Sequence, residues 1–156
     1  MIAKLALFML LTLNTNALEF KIIGACSTTP LFETQVNGTF NNVGELSHTV
    51  LKEYNIQNLA SDYGISQIFN SPVGDIALEV ISDYKLRAHG WCYSVDGNVP
   101  EVLMGDFNLL GNEKEITWFM GYTTYIGYPE TGESEWVGQC TPSNLPPANP
   151  VWCNNN

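Results

Sequence analysis

Hydrophobic and polar residues alternate with different periods along the chain, and each period implies an element. The first segment places Lys4 ahead of an apolar run from Leu5 to Leu13, interrupted only by Thr12, then polar Asn14-Thr15-Asn16 and small Ala17. A basic start, a short apolar run and a small residue at the exit predict a signal peptide over residues 1–17, too short for a membrane span. Leu18 to Ser27 and Leu31 to Phe40 then read as two strands joined by Ser27-Thr28-Thr29-Pro30. At Asn42 the period lengthens. Asn42 stands as an N-cap with Glu45 three residues on, and Val43, Leu46, Val50, Leu51 and Tyr54 recur at helical spacing. This predicts the one clear helix of the chain.

Strand-type runs follow at Ala60 to Phe69, Ile76 to Ile81, Trp91 to Val95 and Glu115 to Met120, rich in β-branched and aromatic residues. Asp96-Gly97 directly after one run predicts a tight turn, because a type I′ turn needs positive φ that glycine adopts without steric cost. Tyr128 to Val137 reads as a loop or hairpin tip. From Thr141 onward Pro142, Pro146, Pro147 and Pro150 cannot donate ladder hydrogen bonds, so residues 141–156 are expected to form an extended strap beyond a domain over 18–140. Strand, strand, helix and further strands predict an α+β domain with one helix packed on a mixed sheet.

Charge narrows the partners. Six Lys+Arg against sixteen Asp+Glu among 156 residues give a net charge of −10, which repels nucleic-acid phosphates and anionic membrane surfaces. The four cysteines, Cys26, Cys92, Cys140 and Cys153, lack C-x-x-C spacing and have no histidine at ligand spacing, so disulfides are expected rather than zinc. Cys140 and Cys153 bracket a proline-rich stretch of twelve residues and are the expected pair, with Cys26 joined to Cys92. Ile23-Gly24-Ala25-Cys26 superficially suits a lipoprotein cleavage box, but Glu19 and Lys21 interrupt the apolar run that should lead into it. A secreted, lipid-free protein is expected, extracellular or periplasmic.

Catalytic chemistry is sparse. His48 falls within the predicted helix and His89 before Gly90-Trp91, and neither sits in a recognisable triad motif. No G-x-S-x-G, H-E-x-x-H, P-loop or dinucleotide fingerprint occurs. Glu130, Glu133 and Glu135 read as a solvated turn, and Asp62, Asp75 and Asp83 are too isolated for a calcium loop. No enzyme activity and no metal site are expected. Asn37-Gly38-Thr39 matches a glycosylation acceptor.

The stretch Gly90-Trp91-Cys92-Tyr93-Ser94-Val95-Asp96-Gly97, continued by Gly105-Asp106-Phe107 and Glu115-Ile116-Thr117-Trp118, resembles the DUF4430 family, the transcobalamin C-terminal-like β-grasp domain. Its members show G-W-x-Y-x-V-N-G, a small-Asp-aromatic triplet and a strand of the form E-I-x-W; Asp96 here takes the Asn position. The resemblance implies a ubiquitin-like β-grasp fold with the helix crossing one sheet face. It also implies a ligand side near Trp91 and Tyr93, with cobalamin or another corrinoid as a candidate ligand.

The aromatic residues of the second half point the same way. Trp91, Tyr93 and Val95 share one face of their strand, and Trp118, Met120 and Tyr122 share a face of theirs. One helix covers one face of a sheet, so surplus aromatics are expected on an open face. Trp91, Tyr93, Trp118, Tyr122 and Trp136 are therefore the candidate ligand-binding residues of a non-enzymatic module for a small molecule or cofactor. The other reading is a protein-interaction or structural module of the cell envelope.

Overall fold

Strand formation is dominated by one long segment. The computed structural model describes residues 17–26 and 28–143; the expected signal peptide, apart from Ala17, and Cys153 lie outside these residues. In chain order the elements are β1 (Leu18–Ile23), β2 (Phe32–Val36), α1 (Val43–Glu53), β3 (Asn58–Ala60), β4 (Ile65–Ile68), β5 (Leu78–Ser82), β6 (Lys85–Val95), β7 (Glu115–Tyr128) and β8 (Glu133–Pro142). The main sheet runs β2-β1-β7-β6-β5, and β8 adds to β7. β1 lies parallel to β7, from Glu19 opposite Glu115 to Ile23 opposite Phe119, and every other pairing in the sheet is antiparallel. β3 and β4 form a separate hairpin. The expected α+β domain with one helix on a mixed sheet is present.

Helix α1 forms for local reasons. The Asn42 side chain accepts from the Glu45 amide at 2.8 Å, while the Glu45 carboxylate reaches back to the amide of Asn41, one residue earlier than in the usual capping box. At the other end Asn55 has φ 53, and the amides of Asn55 and Ile56 close on the carbonyls of Lys52 and Leu51, a Schellman ending. Its inner stripe of Val43, Leu46, Ser47, Val50 and Leu51 packs on Phe20 and Ile22 of β1, Tyr93 and Val95 of β6, and Ile116 and Trp118 of β7. The indole N–H of Trp118 donates to Ser47 Oγ at 2.9 Å, so the one hydroxyl on that stripe is satisfied inside the core.

Several expectations change. The Ala60 to Phe69 run is not one strand: it breaks at Ser61 to Gly64, where the Ser61 amide donates to the Gly64 carbonyl. Asp62 and Gly64 are turn formers, and apolar content alone conceals the reversal. Ile76 and Ala77 belong to a short 3₁₀ turn, Gly74–Ala77, ahead of β5. β7 continues eight residues past Met120, and the acidic segment from Glu133 becomes β8 rather than loop. Thr141 and Pro142 lie in β8 instead of the strap, with Pro142 at its last position, where the missing N–H is tolerated.

The cysteine pairing is also corrected. Cys92 is joined to Cys140, which excludes both the Cys140–Cys153 and the Cys26–Cys92 pairings; Cys26 is disulfide-bonded as well. Between Tyr122 and Thr124 the β7–β8 register slips, and Gly138 (φ 71) and Cys140 (φ 54) adopt left-handed conformations there. The bulge carries Cys140 over Gly121 to Cys92 on β6, with Cα atoms 5.9 Å apart. Sequence spacing cannot reveal a bulge of this kind. Closing a separation of 48 residues stabilises by about 4 kcal/mol in the chain-entropy model.

Gly121 permits the crossing. A Cβ there would lie 3.1 Å from Cys92 Sγ, 3.2 Å from the Thr141 carbonyl oxygen and 3.3 Å from the Cys140 carbonyl carbon. Gly121→Ala is expected to destabilise the oxidised protein by about 1–3 kcal/mol, read from urea midpoints. The loss should shrink in the Cys92→Ala/Cys140→Ala background, and an equal loss there would show that the disulfide is not what crowds Gly121.

Candidate functional site

β5 covers only the Lys85 to Ala88 half of β6, so the outer edge of β6 from Trp91 onward has no strand neighbour. Two connections close on that edge instead: the β3–β4 turn, which carries Asp62 and Tyr63, and the segment from Val99 to Asp106. Between them lies an open cleft of about 440 Å³ whose lining includes Tyr63, Trp91, Tyr93, Val99, Leu103, Asp106, Trp118 and the Cys92–Cys140 bridge. A second cavity of about 460 Å³, lined by Asn42, Gly44, Glu45, His48 and Asp62, shares Tyr63, Leu103 and Asp106 with it.

The walls are fixed by the core. Met104 is buried, its carbonyl accepts from the Gly44 amide at 2.9 Å, and the Phe107 carbonyl accepts from the Val43 amide at 3.1 Å. Two of the donors left open at a helix start are thus satisfied by the cleft wall. Gly105 is required because a Cβ there would stand 2.9 Å from the Asp62 carbonyl oxygen of the facing turn. At the other end of the segment, Asp96 (φ 50) and Gly97 (φ 79) form the expected tight turn. Asp96 Oδ1 accepts from the amides of Lys114 and Glu115, which pins the start of β7.

The five candidate aromatics separate. Trp118 is 1% exposed and is a core residue; Tyr93 packs 5.5 Å from its ring and 6.4 Å from that of Phe107, donating its hydroxyl to the Val102 carbonyl at 2.8 Å. Trp91 is half-buried, with its indole N–H on Ser71 Oγ at 2.8 Å. These three line the cleft. Tyr122 lies further along β7, under the Arg87 guanidinium at 4.6 Å and beside His89 at 5.4 Å. Trp136, 57% exposed, stacks edge-on to Tyr125 at 5.3 Å, and Tyr125 points to the opposite face from Tyr122. A single aromatic face is not formed.

His89 is buried between Ser143 Oγ, 2.9 Å from Nδ1, and Glu79 Oε2, 3.3 Å from Nε2. Burial holds its pKa below the ordinary value against the opposing pull of Glu79. Ser143 is itself 2% exposed, so this chain of hydrogen bonds fixes the end of β8 against β6. Among the described residues no group of three or more His, Cys, Asp or Glu side chains is placed to hold a metal ion, and no helix is long and apolar enough to cross a membrane.

Sequence reasoning missed Tyr63 and Leu103 as cleft residues and Asp62 as a residue of the adjoining cavity, because they sit in turns whose partners are distant in sequence. The signal present was Ser61-Asp62-Tyr63-Gly64, an aromatic between turn formers, which exposes the ring; Tyr63 is 73% exposed. No protein-family model, curated protein or solved structure matches this chain.

Burial, and then the Asp106 carboxylate, push the Tyr93 phenol up to about 12. From about 10 to about 12 the unfolded chain ionises this phenol while the folded one keeps its proton, so stability falls as pH rises through that window. Urea midpoints at pH 9 and pH 11 should therefore drop more for the wild type than for Tyr93→Phe. Equal drops would mean that Tyr93 titrates as a free phenol.

Proposed function

We propose that the protein is a secreted, non-enzymatic binding module whose small-molecule ligand seats in the cleft between β6, the β3–β4 turn and the Val99 to Asp106 segment. The observation that carries this reading is one open cavity of about 440 Å³ at which the half-buried Trp91 and the exposed Tyr63 stand over a wall backed by the buried Tyr93 and Trp118. Aromatic side chains offer large contact area at low entropic cost, and a wall set by the core needs little ordering on binding. Oxidised cysteines and the acidic surface suit an extracellular or periplasmic setting.

On the same reading the domain is a β-grasp of the DUF4430 type. Supporting this are an opening hairpin, a single helix across the sheet, and a central strand that returns parallel to β1. Trp91, Cys92 and Tyr93 of the G-W-C-Y-S-V-D-G stretch line the cleft, as does Asp106 of Gly105-Asp106-Phe107. A corrinoid is the ligand that this resemblance suggests. An open-sided cleft of this size takes the edge of a planar macrocycle rather than enclosing it.

The alternative, an extracellular protein-interaction or envelope module, is favoured by one observation. β5 is an edge strand with Ile76, Val80, Ile81 and Tyr84 exposed along it and beside it, Val80 at 75%.

Native mass spectrometry of the secreted protein should find a bound small molecule. Tyr63→Ala should lower its occupancy several-fold with an unchanged circular dichroism spectrum, while Trp136→Ala, outside the cleft, should leave occupancy as it is. A protein partner lost on Val80→Lys, with no small molecule retained, would favour the edge-strand reading instead.

A further inference from the structure

The cleft and the second cavity that adjoins it differ chemically. Trp91, Tyr93 and Trp118 give the first an aromatic wall, with the Glu101 carboxylate also in its lining, while Glu45 and Asp62 border the second, and Asp106 stands with Tyr63 and Leu103 where the two meet. Neither lining contains a lysine or an arginine, and His48 is the one basic side chain in either. Two cations of the sheet, Lys21 and Arg87, are engaged elsewhere. Lys21 bridges Glu19 and Glu115 at 2.7 Å each, and Arg87 lies on Tyr122 with Glu79 at 3.3 Å.

We propose that the ligand of this cleft is an aromatic or planar apolar body carrying a protonated amine, the body seated against Trp91 and Tyr93 and the ammonium turned toward Asp106. The inference rests on the binding reading above, adds the sign of the ligand's charge, and replaces the corrinoid, which carries no amine protonated at neutral pH. A carboxylate ligand of the same shape would bring its charge among carboxylates that no lysine or arginine of the lining offsets. An ammonium gains from the carboxylates and from the face of Tyr63, a ring open to solvent at the same junction. The Asp106 charge is felt at the aromatic wall: it is one of the two causes that raise the Tyr93 phenol. The negative field thus reaches the place where the apolar body would rest. A net charge of −10 steers the same class of ligand toward the protein at low salt.

Three probes of matched shape separate the possibilities: 2-phenylethylamine, 2-phenylethanol and 3-phenylpropanoate, titrated at pH 8 into the full secreted chain and followed by two-dimensional NMR. The ammonium should shift the Trp91 indole and Tyr63 amide resonances and bind about fivefold more tightly than the alcohol, with the propanoate weaker again. Asp106→Asn, a change at an exposed side chain, should weaken the ammonium toward the affinity of the alcohol, and Asp106→Asn with Glu101→Gln, or added salt, should remove most of the difference. Equal binding of all three probes at the cleft, or tighter binding of the propanoate, would overturn the charge assignment and leave the binding cleft standing. Should no probe shift these resonances, the cleft is not a site for this class of ligand and both readings fall.

Discussion

Everything in this fold hangs on β7, a strand hydrogen-bonded along both edges. From Ile116 to Ile126 it pairs with β6; on the other edge it pairs first with β1, in parallel, and then with β8. A strand with no free edge must be apolar on its covered face, and Ile116, Trp118 and Met120 meet that requirement beneath the helix and its neighbours. The change of partner, near Gly121, is the fold's most constrained point. There the β8 chain crosses close above the strand, the register slips, and a Cβ would crowd the disulfide at 3.1 Å.

The same strand explains why core and site are hard to separate. Trp118 is held by Ser47 of the helix and touches Tyr93, whose hydroxyl holds Val102 in the cleft wall. The wall in turn closes the helix start through Met104 and Phe107. Packing is therefore transmitted from the helix through two aromatic rings to the loop that borders the cavity. Substitutions at Trp118 or Tyr93 report on the scaffold, whereas Tyr63, Leu103 and Asp106 report on the cavity alone.

How much was legible in the sequence follows from the range of each interaction. The Asn42 cap, the inner stripe of α1 and the Asp96-Gly97 turn are set by residues a few positions apart, and all three form where the pattern places them. Strand period alone places Tyr93 on the face of Trp91 and Trp118 on that of Met120, but that the two rings meet comes from the register of β6 on β7. What the pattern missed is long-range. The Cys92–Cys140 bridge depends on a bulge at Gly138 to Cys140 that leaves no periodic trace, and the separation of Trp136 from Tyr122 depends on which residue β8 places opposite Tyr125. The cleft itself is made by two turns remote from each other in the chain, so its residues carry no common motif.

If β7 is the scaffold from which both core and cleft are built, its amides should be the last to open. Native-state hydrogen exchange of the oxidised protein tests this most directly. The account predicts the slowest exchange at Ile116 to Tyr122, close to the rate of global unfolding, with faster exchange in the β3–β4 turn and in the segment from Val99 to Leu103. Exchange in those two cleft walls as slow as in β7, or exchange in β7 faster than in the outer strands β2 and β5, would contradict it.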